Sequence, residues 1–263
     1  MDWIEALILG LIQGLTEFLP VSSSGHLEIG KYLMDINPEK SLLFTVVVHG
    51  ATVLSTIVVF WKDIIAIFKG LFQFRWNDET KFVVKIIISM IPVLIIGVFF
   101  KDHVESFFNG NMIFVGSMLI VTASLLTFTH FSKSNKREVN YLDSFVIGLA
   151  QAMAVLPGIS RSGATISVGI LLGNKKESIT RFSFLMVLIP ILGANMLDLM
   201  GGEMSNNETI GVFPLIVGFV AAFVAGWAAC TWMINIVKKG KLMYFAIYCL
   251  IIGIIAIVSG LYF

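Results

Sequence analysis

Long apolar runs dominate the chain, and short polar segments separate them. A membrane hydrocarbon core about 30 Å thick needs about 20 largely apolar residues in helical form. The runs that meet this length lie at residues 42–60, 82–100, 112–130, 181–200, 212–235 and 242–262. The pattern therefore predicts an all-α integral membrane protein with six transmembrane helices.

Two shorter apolar stretches are interrupted by polar turns and predict a different element. The first is broken by Pro-Val-Ser-Ser-Ser-Gly at residues 20–25, and the second by Pro-Gly-Ile-Ser-Arg-Ser-Gly at residues 157–163. Irregular backbone cannot face lipid, because its N–H and C=O groups would lack hydrogen-bond partners there. We expect each stretch to form a re-entrant helix-loop-helix hairpin that other parts of the protein cover.

The two halves of the chain share one pattern. Ile8–Gln13 recurs as Val146–Gln151, at an offset of 138 residues, and Ser22–Gly25 recurs as Ser160–Gly163 at the same offset. This repetition predicts a single polytopic membrane domain over residues 1–263, made of two repeats at about 4–130 and 142–262. Three crossings and one hairpin per repeat would leave the second repeat inverted relative to the first.

The distribution of basic residues gives a separate test of this topology. The segments that the six-crossing model places in the cytoplasm are 61–81, 131–141, 174–181 and 236–241. They hold 13 Lys and Arg residues, whereas the opposite segments 31–41, 101–111 and 201–211 hold 3. Cytoplasmic loops of membrane proteins are enriched in Lys and Arg. The bias supports the inverted-repeat topology and rejects its mirror orientation.

The composition agrees with a membrane protein and narrows the classes of function. Apolar residues make up 57% of the chain and charged residues only 13%, and a net charge of +1 gives no reason to expect nucleic-acid binding. The N-terminus lacks the basic flank of a secretory signal, so we expect the first helix to belong to the mature protein. Cys230 and Cys249 lie in apolar runs without metal-ligand spacing and indicate packing.

Glu17 and Arg161 stand out because each is a charged residue within the apolar stretch of one broken hairpin. A charge at this depth costs at least several kcal/mol unless it is compensated. One interpretation is an ion pair that only fixes helix packing. The polar neighbours of both residues favour a functional site instead, with Gln13 one helical turn before Glu17 and His26 shortly after it.

Hydroxyl groups cluster where the second helix of each hairpin should begin. These residues are Ser22, Ser23 and Ser24 in the first hairpin, and Ser160, Ser162 and Thr165 in the second. A helix N-terminus offers unpaired N–H groups and a positive dipole to anions, and an arginine can bind phosphate or carboxylate through two parallel hydrogen bonds. We therefore expect an anion to bind between the hairpins.

A carboxylate beside an anion site suggests a cation between the two. Glu17, with Gln13 as a neutral oxygen donor, would suit a hard divalent ion such as Mg²⁺ or Ca²⁺. His26 could act as the nucleophile, or as a general base for Ser23 or for water, in a phosphoryl transfer. His49 in the next span is interpreted as a packing residue, as are His103 and His130 at the membrane edges.

Two motifs resemble signatures of the undecaprenyl-diphosphate phosphatase family, also called the bacitracin-resistance family. They are Gln13-Gly14-Leu15-Thr16-Glu17-Phe18-Leu19-Pro20-Val21-Ser22-Ser23-Ser24-Gly25-His26 and Pro157-Gly158-Ile159-Ser160-Arg161-Ser162-Gly163-Ala164-Thr165. The resemblance covers essentially the whole chain. Gln13 stands where the family carries glutamate or glutamine, and Ser24 where relatives also carry threonine.

The resemblance implies hydrolysis of undecaprenyl diphosphate to the monophosphate and inorganic phosphate, which recycles the lipid carrier of peptidoglycan synthesis. It further implies a divalent cation and a multi-pass protein of the bacterial inner membrane, whose active site faces the periplasmic side. Glu17 would take the metal-linked carboxylate role and Arg161 the phosphate-binding role, while Ser23 and His26 match the nucleophile and base positions.

Three questions stay open at this stage. The architecture alone also fits a secondary transporter or a flippase for a lipid phosphate or organic anion. The attacking group could be Ser23, His26 or water. The sequence leaves the oligomeric state undecided, a homodimer included, as well as the choice of metal and of prenyl chain length.

Overall fold

The computed structural model describes residues 1–36, 41–100, 103–104, 106–108, 110–132, 136–200 and 210–262, except the side chains of 194 and 197–200. Helices form almost all of this part of the chain. In chain order they are α1 Trp3–Phe18, α2 Ser23–Leu33, α3 Leu42–Val59, α4 Trp61–Leu71, α5 Asp78–Phe99, α6 Met112–His130, α7 Tyr141–Met153, α8 Arg161–Leu171, α9 Lys176–Met186, α10 Leu188–Met200, α11 Val212–Lys238 and α12 Met243–Tyr262.

In the described part of the chain, five helices are long and apolar enough to cross a membrane, namely α3, α5, α6, α11 and α12. Their bounds agree with five of the six predicted crossings to within a few residues. The outer faces of these helices are apolar as well, as on α5, where Ile87, Ile91 and Leu94 are exposed along one side. An apolar exterior of this kind is suited to lipid and confirms the all-α integral membrane fold.

The sixth predicted crossing, at 181–200, differs from the other five. It consists of α9 and α10, which are separated at Val187. Pro190 explains the break, because proline has no N–H to donate to the carbonyl of Met186, four residues earlier. The apolar run was predicted correctly, but the expectation of one continuous helix through it was wrong.

Each broken hairpin is a pair of helices with a short polar connection. Asp2 caps α1 and exchanges hydrogen bonds with Glu5, and Asn140 does the same for α7 with Asp143. The second helices, α2 and α8, both contain 11 residues, and α8 begins 138 residues after α2. The structure thus contains both helix-loop-helix hairpins, while their re-entry into a bilayer stays a prediction.

The hairpins pack against helices from the other half of the chain. Helix α1 packs mainly on α11, α7 packs on α5, and α6 packs on α12. Glycines permit close contact, since a Cβ on Gly14 would lie 2.8 Å from the Ala225 Cβ, and one on Gly253 would lie 2.8 Å from the Gly116 carbonyl oxygen. Small residues commonly let helix backbones approach in membranes. This reciprocal packing is what two inverted repeats would produce, although the duplication itself stays a prediction.

Candidate active site

Glu17 is the polar centre of the first hairpin. Its side chain projects from the last turn of α1 and is only 5% exposed. The Gln13 amide nitrogen donates a hydrogen bond to Oε2 of Glu17 at 3.0 Å, and the Ser23 hydroxyl donates to the same oxygen at 2.6 Å. The carboxylate therefore joins the end of α1 to the first turn of α2.

Arg161 supplies the opposite charge from the second hairpin. It is the first residue of α8, and its Nη2 donates a hydrogen bond to Oε1 of Glu17. Within the described part of the chain, the remaining guanidinium N–H groups have no acceptor. The side chain is 26% exposed, so these N–H groups can meet an anion such as phosphate.

The tips of the two hairpins meet directly. The Ser162 hydroxyl donates a hydrogen bond to the Leu19 carbonyl at 3.2 Å. A Cβ on Gly25 would lie 3.1 Å from the Cα of Gly158, which adopts a φ of +97°. Glycine is favoured in this left-handed region, because other residues are strained there. These contacts place Glu17 and Arg161 at a single junction between the two halves.

The two serine clusters have the same local geometry. Ser22 and Ser160 are the N-caps of α2 and α8, and their hydroxyls accept the backbone N–H three residues later at 3.2 and 3.0 Å. Each cap hydroxyl lies 3.3 Å from a second hydroxyl, that of Ser24 or Ser162. Both hairpins thus present a capped helix N-terminus with paired hydroxyls, as expected for an anion site.

Thr165 lies one helical turn after Arg161 in α8. Its hydroxyl donates to the Arg161 carbonyl at 2.8 Å and lies 2.7 Å from the hydroxyl of Ser183 on α9. The residue is 1% exposed. Thr165 therefore supports the helical turn that carries Arg161, and its predicted contact with substrate stays a prediction.

Both ring nitrogens of His26 have partners. Nδ1 donates to the Ser22 carbonyl at 2.8 Å, and Nε2 lies 2.9 Å from the hydroxyl of Tyr248 on α12. The two rings also stack, with centroids 5.6 Å apart and an angle of 11°. A donor at Nδ1 makes Nε2 of the neutral ring an acceptor, so Tyr248 donates to it. No pattern in the sequence pointed to Tyr248, which lies 222 residues away.

A buried threonine supports the second hairpin and was also missed. The Thr122 hydroxyl on α6 accepts the Ser160 N–H at 3.0 Å and lies 3.1 Å from the Gly158 carbonyl oxygen. The residue is fully buried. A hydroxyl in the middle of an apolar span was the available signal, but such hydroxyls more often bond their own helix.

His49, which the sequence indicated as a packing residue, lies close to the site. Its ring interacts electrostatically with Glu17, Arg161 and Lys31. Its Nδ1 donates to the Thr45 carbonyl at 2.8 Å. The spacing i, i+4, i+7 and i+11 places four polar residues of α3 on one face; they are Thr45, His49, Thr52 and Thr56.

A second buried pair of charges lies in α2. Lys31 and Glu28 have side chains that are each 7% exposed and are 3.8 Å apart, and Lys31 also donates to the Thr45 hydroxyl at 3.2 Å. Lys31 was counted in the external segment 31–41, and it lies in the last turn of α2, which ends at Leu33. Without Lys31 the external segments hold two basic residues instead of three, so the charge bias remains.

A small pocket lies beside the Glu17–Arg161 pair. Its lining residues are Glu17, Phe18, Thr52, Thr56, Arg161, Ser162, Ser183, Phe184, Val187 and Ile191. The hydroxyls of Thr52 and Thr56 donate to carbonyls of their own helix, so they offer lone pairs to the pocket. The break between α9 and α10 at Val187 borders the same space.

The residues around Glu17 offer few ligands for a divalent cation. Across the described residues, no three or more His, Cys, Asp or Glu side chains form a group that could hold a metal ion. Glu17 contributes one carboxylate, and Oε1 of Gln13 is buried without a hydrogen-bond partner. One carboxylate and one amide oxygen suit Mg²⁺ that takes its other ligands from substrate phosphate and water.

Both cysteines are packing residues, and one of them lies near the site. Cys230 and Cys249 are fully buried and unpaired. The Cys249 thiol lies 3.6 Å from the carbonyl of Pro20, at the tip of the first hairpin. Their buried positions agree with the packing role expected from the sequence.

The fold and the site define a class of protein: a multi-pass, all-α membrane protein that holds an acid and a guanidinium between two broken hairpins. The sequence profile of the bacitracin resistance protein BacA family matches residues 6–255. The chain belongs to this family.

Full-length relatives agree with the assignment. The chain is 59% identical over 263 residues to a Bacteroides fragilis protein named undecaprenyl-diphosphatase, with 98% of each chain covered. It is 58% identical over 265 residues to a protein of the same name from Bacteroides thetaiotaomicron, covering 99% of this chain and 100% of the relative. It is also 36% identical over 262 residues to undecaprenyl-diphosphatase 2 of Bacillus thuringiensis, with 97% of each covered.

Proposed function

We propose that this chain is an undecaprenyl-diphosphatase, which hydrolyses undecaprenyl diphosphate to undecaprenyl phosphate and inorganic phosphate. The observation that carries the proposal is the hydrogen-bonded set of Ser23, Glu17 and Arg161 between the two hairpins. This set combines a hydroxyl, a carboxylate and a guanidinium, which are suited to phosphoryl transfer. It occurs in a chain that is 59% identical to a protein of that name.

Arg161 binds the terminal phosphate in this proposal. Its N–H groups that do not bond Glu17 can donate to two phosphate oxygens. The serine hydroxyls at the start of α2 and α8 add further hydrogen bonds, with Ser24 and Ser162 beside the two cap serines. The phosphate would then lie at two helix N-termini, where negative charge is favoured.

Ser23 or a water molecule is favoured over His26 as the attacking group. The Ser23 hydroxyl donates to Glu17 at 2.6 Å, so Glu17 can take its proton as the Ser23 oxygen bonds to phosphorus. The bond from phosphorus to the bridging oxygen then breaks, and its electron pair leaves with undecaprenyl phosphate. His26 is less available, because the Ser22 carbonyl and the Tyr248 hydroxyl occupy its two nitrogens.

A divalent cation, Mg²⁺ or Ca²⁺, completes the proposed site. Glu17 and the amide oxygen of Gln13 would hold it together with oxygens of the substrate. The Arg161–Glu17 pair has no net charge, so it leaves the charge of the phosphate uncompensated. When bound, the cation would neutralise that charge. The residues of the chain orient the phosphate and receive the proton.

The proposed location is the bacterial cytoplasmic membrane, with the active site open to the outer side. The lipid tail of the substrate would remain in the bilayer, along the exposed apolar faces of the helices. Because α1 and α2 form the hairpin that enters from outside in the predicted topology, the diphosphate would reach Glu17 and Ser23 from that side.

Release of inorganic phosphate from undecaprenyl diphosphate tests the proposal. Purified protein in detergent with Mg²⁺ or Ca²⁺ should release phosphate, and Glu17→Ala and Arg161→Ala should lower the rate at least 100-fold. The exposed residues Glu177 and Lys239, changed to alanine, serve as matched charge controls and should retain the wild-type rate. A wild-type protein that binds the substrate but releases no phosphate would favour transport instead.

The same assay identifies the attacking group. Single-turnover hydrolysis in ¹⁸O-water followed by acid quenching would trap a phosphoserine if Ser23 attacks. Direct attack by water would place ¹⁸O in the phosphate without such an intermediate. A phosphohistidine, which is acid-labile and therefore requires a parallel alkaline quench, would indicate His26.

A further inference from the structure

His49 is a half-buried titratable residue that the proposed mechanism does not yet use. It lies in the middle of α3, a helix that is apolar enough to span the membrane. Placing an imidazole there is unfavourable unless its polar atoms are paired. A histidine with a purely structural role should therefore have partners for both ring nitrogens.

Among the described residues, only one ring nitrogen of His49 finds a partner. Nδ1 donates to the Thr45 carbonyl at 2.8 Å, which fixes the tautomer, because a carbonyl can only accept. Nε2 is then a hydrogen-bond acceptor, and no described residue donates to it. His26 shows the contrast, because the Tyr248 hydroxyl occupies its Nε2.

The surroundings of the free nitrogen are those of the active site. Glu17 from α1, Arg161 from α8 and Lys31 from α2 are the charged groups near enough to influence the His49 ring. Thr52, one turn further along the same face of α3, lines the pocket that Glu17 and Arg161 also line. His49 is not itself a lining residue of this pocket, but it lies one helical turn from Thr52, which is.

We propose that His49 is a positioning residue of the active site, whose Nε2 accepts a hydrogen bond from the hydrolytic water. The inference rests on the proposed phosphatase function. It holds whichever group attacks first, because water must reach phosphorus either directly or in the hydrolysis of a phosphoryl-enzyme. Orienting that water lowers the entropic part of the barrier.

Two substitutions separate this role from packing. In His49→Asn, the side-chain amide can still donate to the Thr45 carbonyl, but no acceptor remains at the Nε2 position. In His49→Gln, the longer side chain places an amide oxygen near that position. We expect kcat to fall at least about tenfold in His49→Asn with KM within about threefold, and to return to within about threefold of wild type in His49→Gln.

The exposed His130 supplies the matched control, and His130→Asn should leave kcat unchanged. Thermal unfolding should be the same for all of these variants. If His49→Asn does not fold, His49→Gln is compared with His49→Met, which has similar length and no acceptor.

Wild-type kcat in His49→Asn, or an equal loss in His49→Gln and His49→Asn, would overturn the inference. In the fallback comparison, equal kcat for His49→Gln and His49→Met would do the same. All of these outcomes leave the proposed function intact, because they require an active wild-type protein. A wild type that releases no phosphate would instead contradict the phosphatase assignment.

Discussion

Glu17 and Arg161 lie 144 residues apart in the sequence and form an ion pair between the two broken hairpins. Each residue comes from a different half of the chain, and the Ser162–Leu19 hydrogen bond joins the same two hairpins. The site therefore exists only when both halves are folded against one another. Function and assembly of the membrane domain depend on the same pair.

A double-mutant cycle on Glu17 and Arg161 should separate stability from activity. Removing Arg161 leaves the Glu17 carboxylate buried and unpaired, which typically costs about 3–5 kcal/mol. Removing Glu17 should cost less, because Arg161 is 26% exposed. We therefore expect Glu17→Gln and Arg161→Met to lower the unfolding temperature in detergent. The double variant should be more stable than either single variant, yet it should still release no phosphate.

The cycle needs a pair of charges that lies outside the site as a control. Lys81 and Asp78, 3.3 Å apart, form an exposed pair, and exposed pairs typically contribute 0 to about 1 kcal/mol. Lys81→Met and Asp78→Asn should therefore change little. The unfolding temperature of the double variant could instead fall by the sum of the decreases in the two single variants. That result would contradict the buried-pair argument.

Gln13 offers a test of the proposed cation. Its Nε2 donates to Glu17, and its buried Oε1 has no partner among the described residues. A second carboxylate there should strengthen binding of a hard divalent ion. We expect Gln13→Glu to lower the Mg²⁺ concentration needed for half-maximal phosphate release by roughly three- to tenfold.

Gln151 is the matched control for Gln13, since it occupies the equivalent position of the second half. Its amide contacts the Met90 sulfur at 3.9 Å instead of a carboxylate. Gln151→Glu should not shift the Mg²⁺ dependence. The same shift in both variants, or none in Gln13→Glu, would argue against a cation at Glu17.

The sequence predicted the parts of the structure that depend on local pattern. Five apolar runs became five long helices, and Pro20 and Pro157 mark the hairpin breaks. Glu17 and Arg161 were identified because a charge in an apolar segment is expensive and needs a partner. The serine clusters were identified because capping residues precede a helix.

The contacts that depend on tertiary packing could not be predicted from one sequence. Tyr248 reaches His26 from the last helix, and no local pattern connects the two residues. His49 was interpreted as packing because a lone histidine in an apolar span usually is. The break at Val187 was missed because the run around it is uniformly apolar, although Pro190 was visible.

Gly226 should be sensitive to any added side chain. A Cβ there would lie 2.9 Å from the Ser55 hydroxyl oxygen and 3.0 Å from the Phe18 ring, next to Glu17 in the sequence. Overpacking of this kind typically costs about 1–3 kcal/mol. We expect Gly226→Val to lower both the unfolding temperature and the rate of phosphate release.

Gly97 provides the comparison for Gly226. It also lies inside a long helix, but a Cβ there would meet nothing within 4 Å. Gly97→Ala should leave the rate unchanged and preserve or slightly raise the unfolding temperature, because alanine favours helix over glycine by up to about 1 kcal/mol. Equal sensitivity at both positions would show that close packing at Gly226 is not the cause.

The inverted topology predicts which ends of the helices are accessible from outside the cell. Leu33 ends α2 and is 75% exposed, and Lys239 directly follows α11. The predicted topology places Leu33 on the outer side and Lys239 in the cytoplasm, because the residues around Lys239 carry the basic bias. Cys230 and Cys249 are first replaced by alanine to give a background without native thiols.

In that background, a membrane-impermeant maleimide should label Leu33→Cys in intact spheroplasts. Lys239→Cys should be labelled only after the membrane is permeabilised. The reverse pattern would require the mirror orientation and would move the opening of the site to the cytoplasmic side. Labelling of both positions in intact spheroplasts would be incompatible with an odd number of crossings between them. The predicted inversion of the second half would then be wrong.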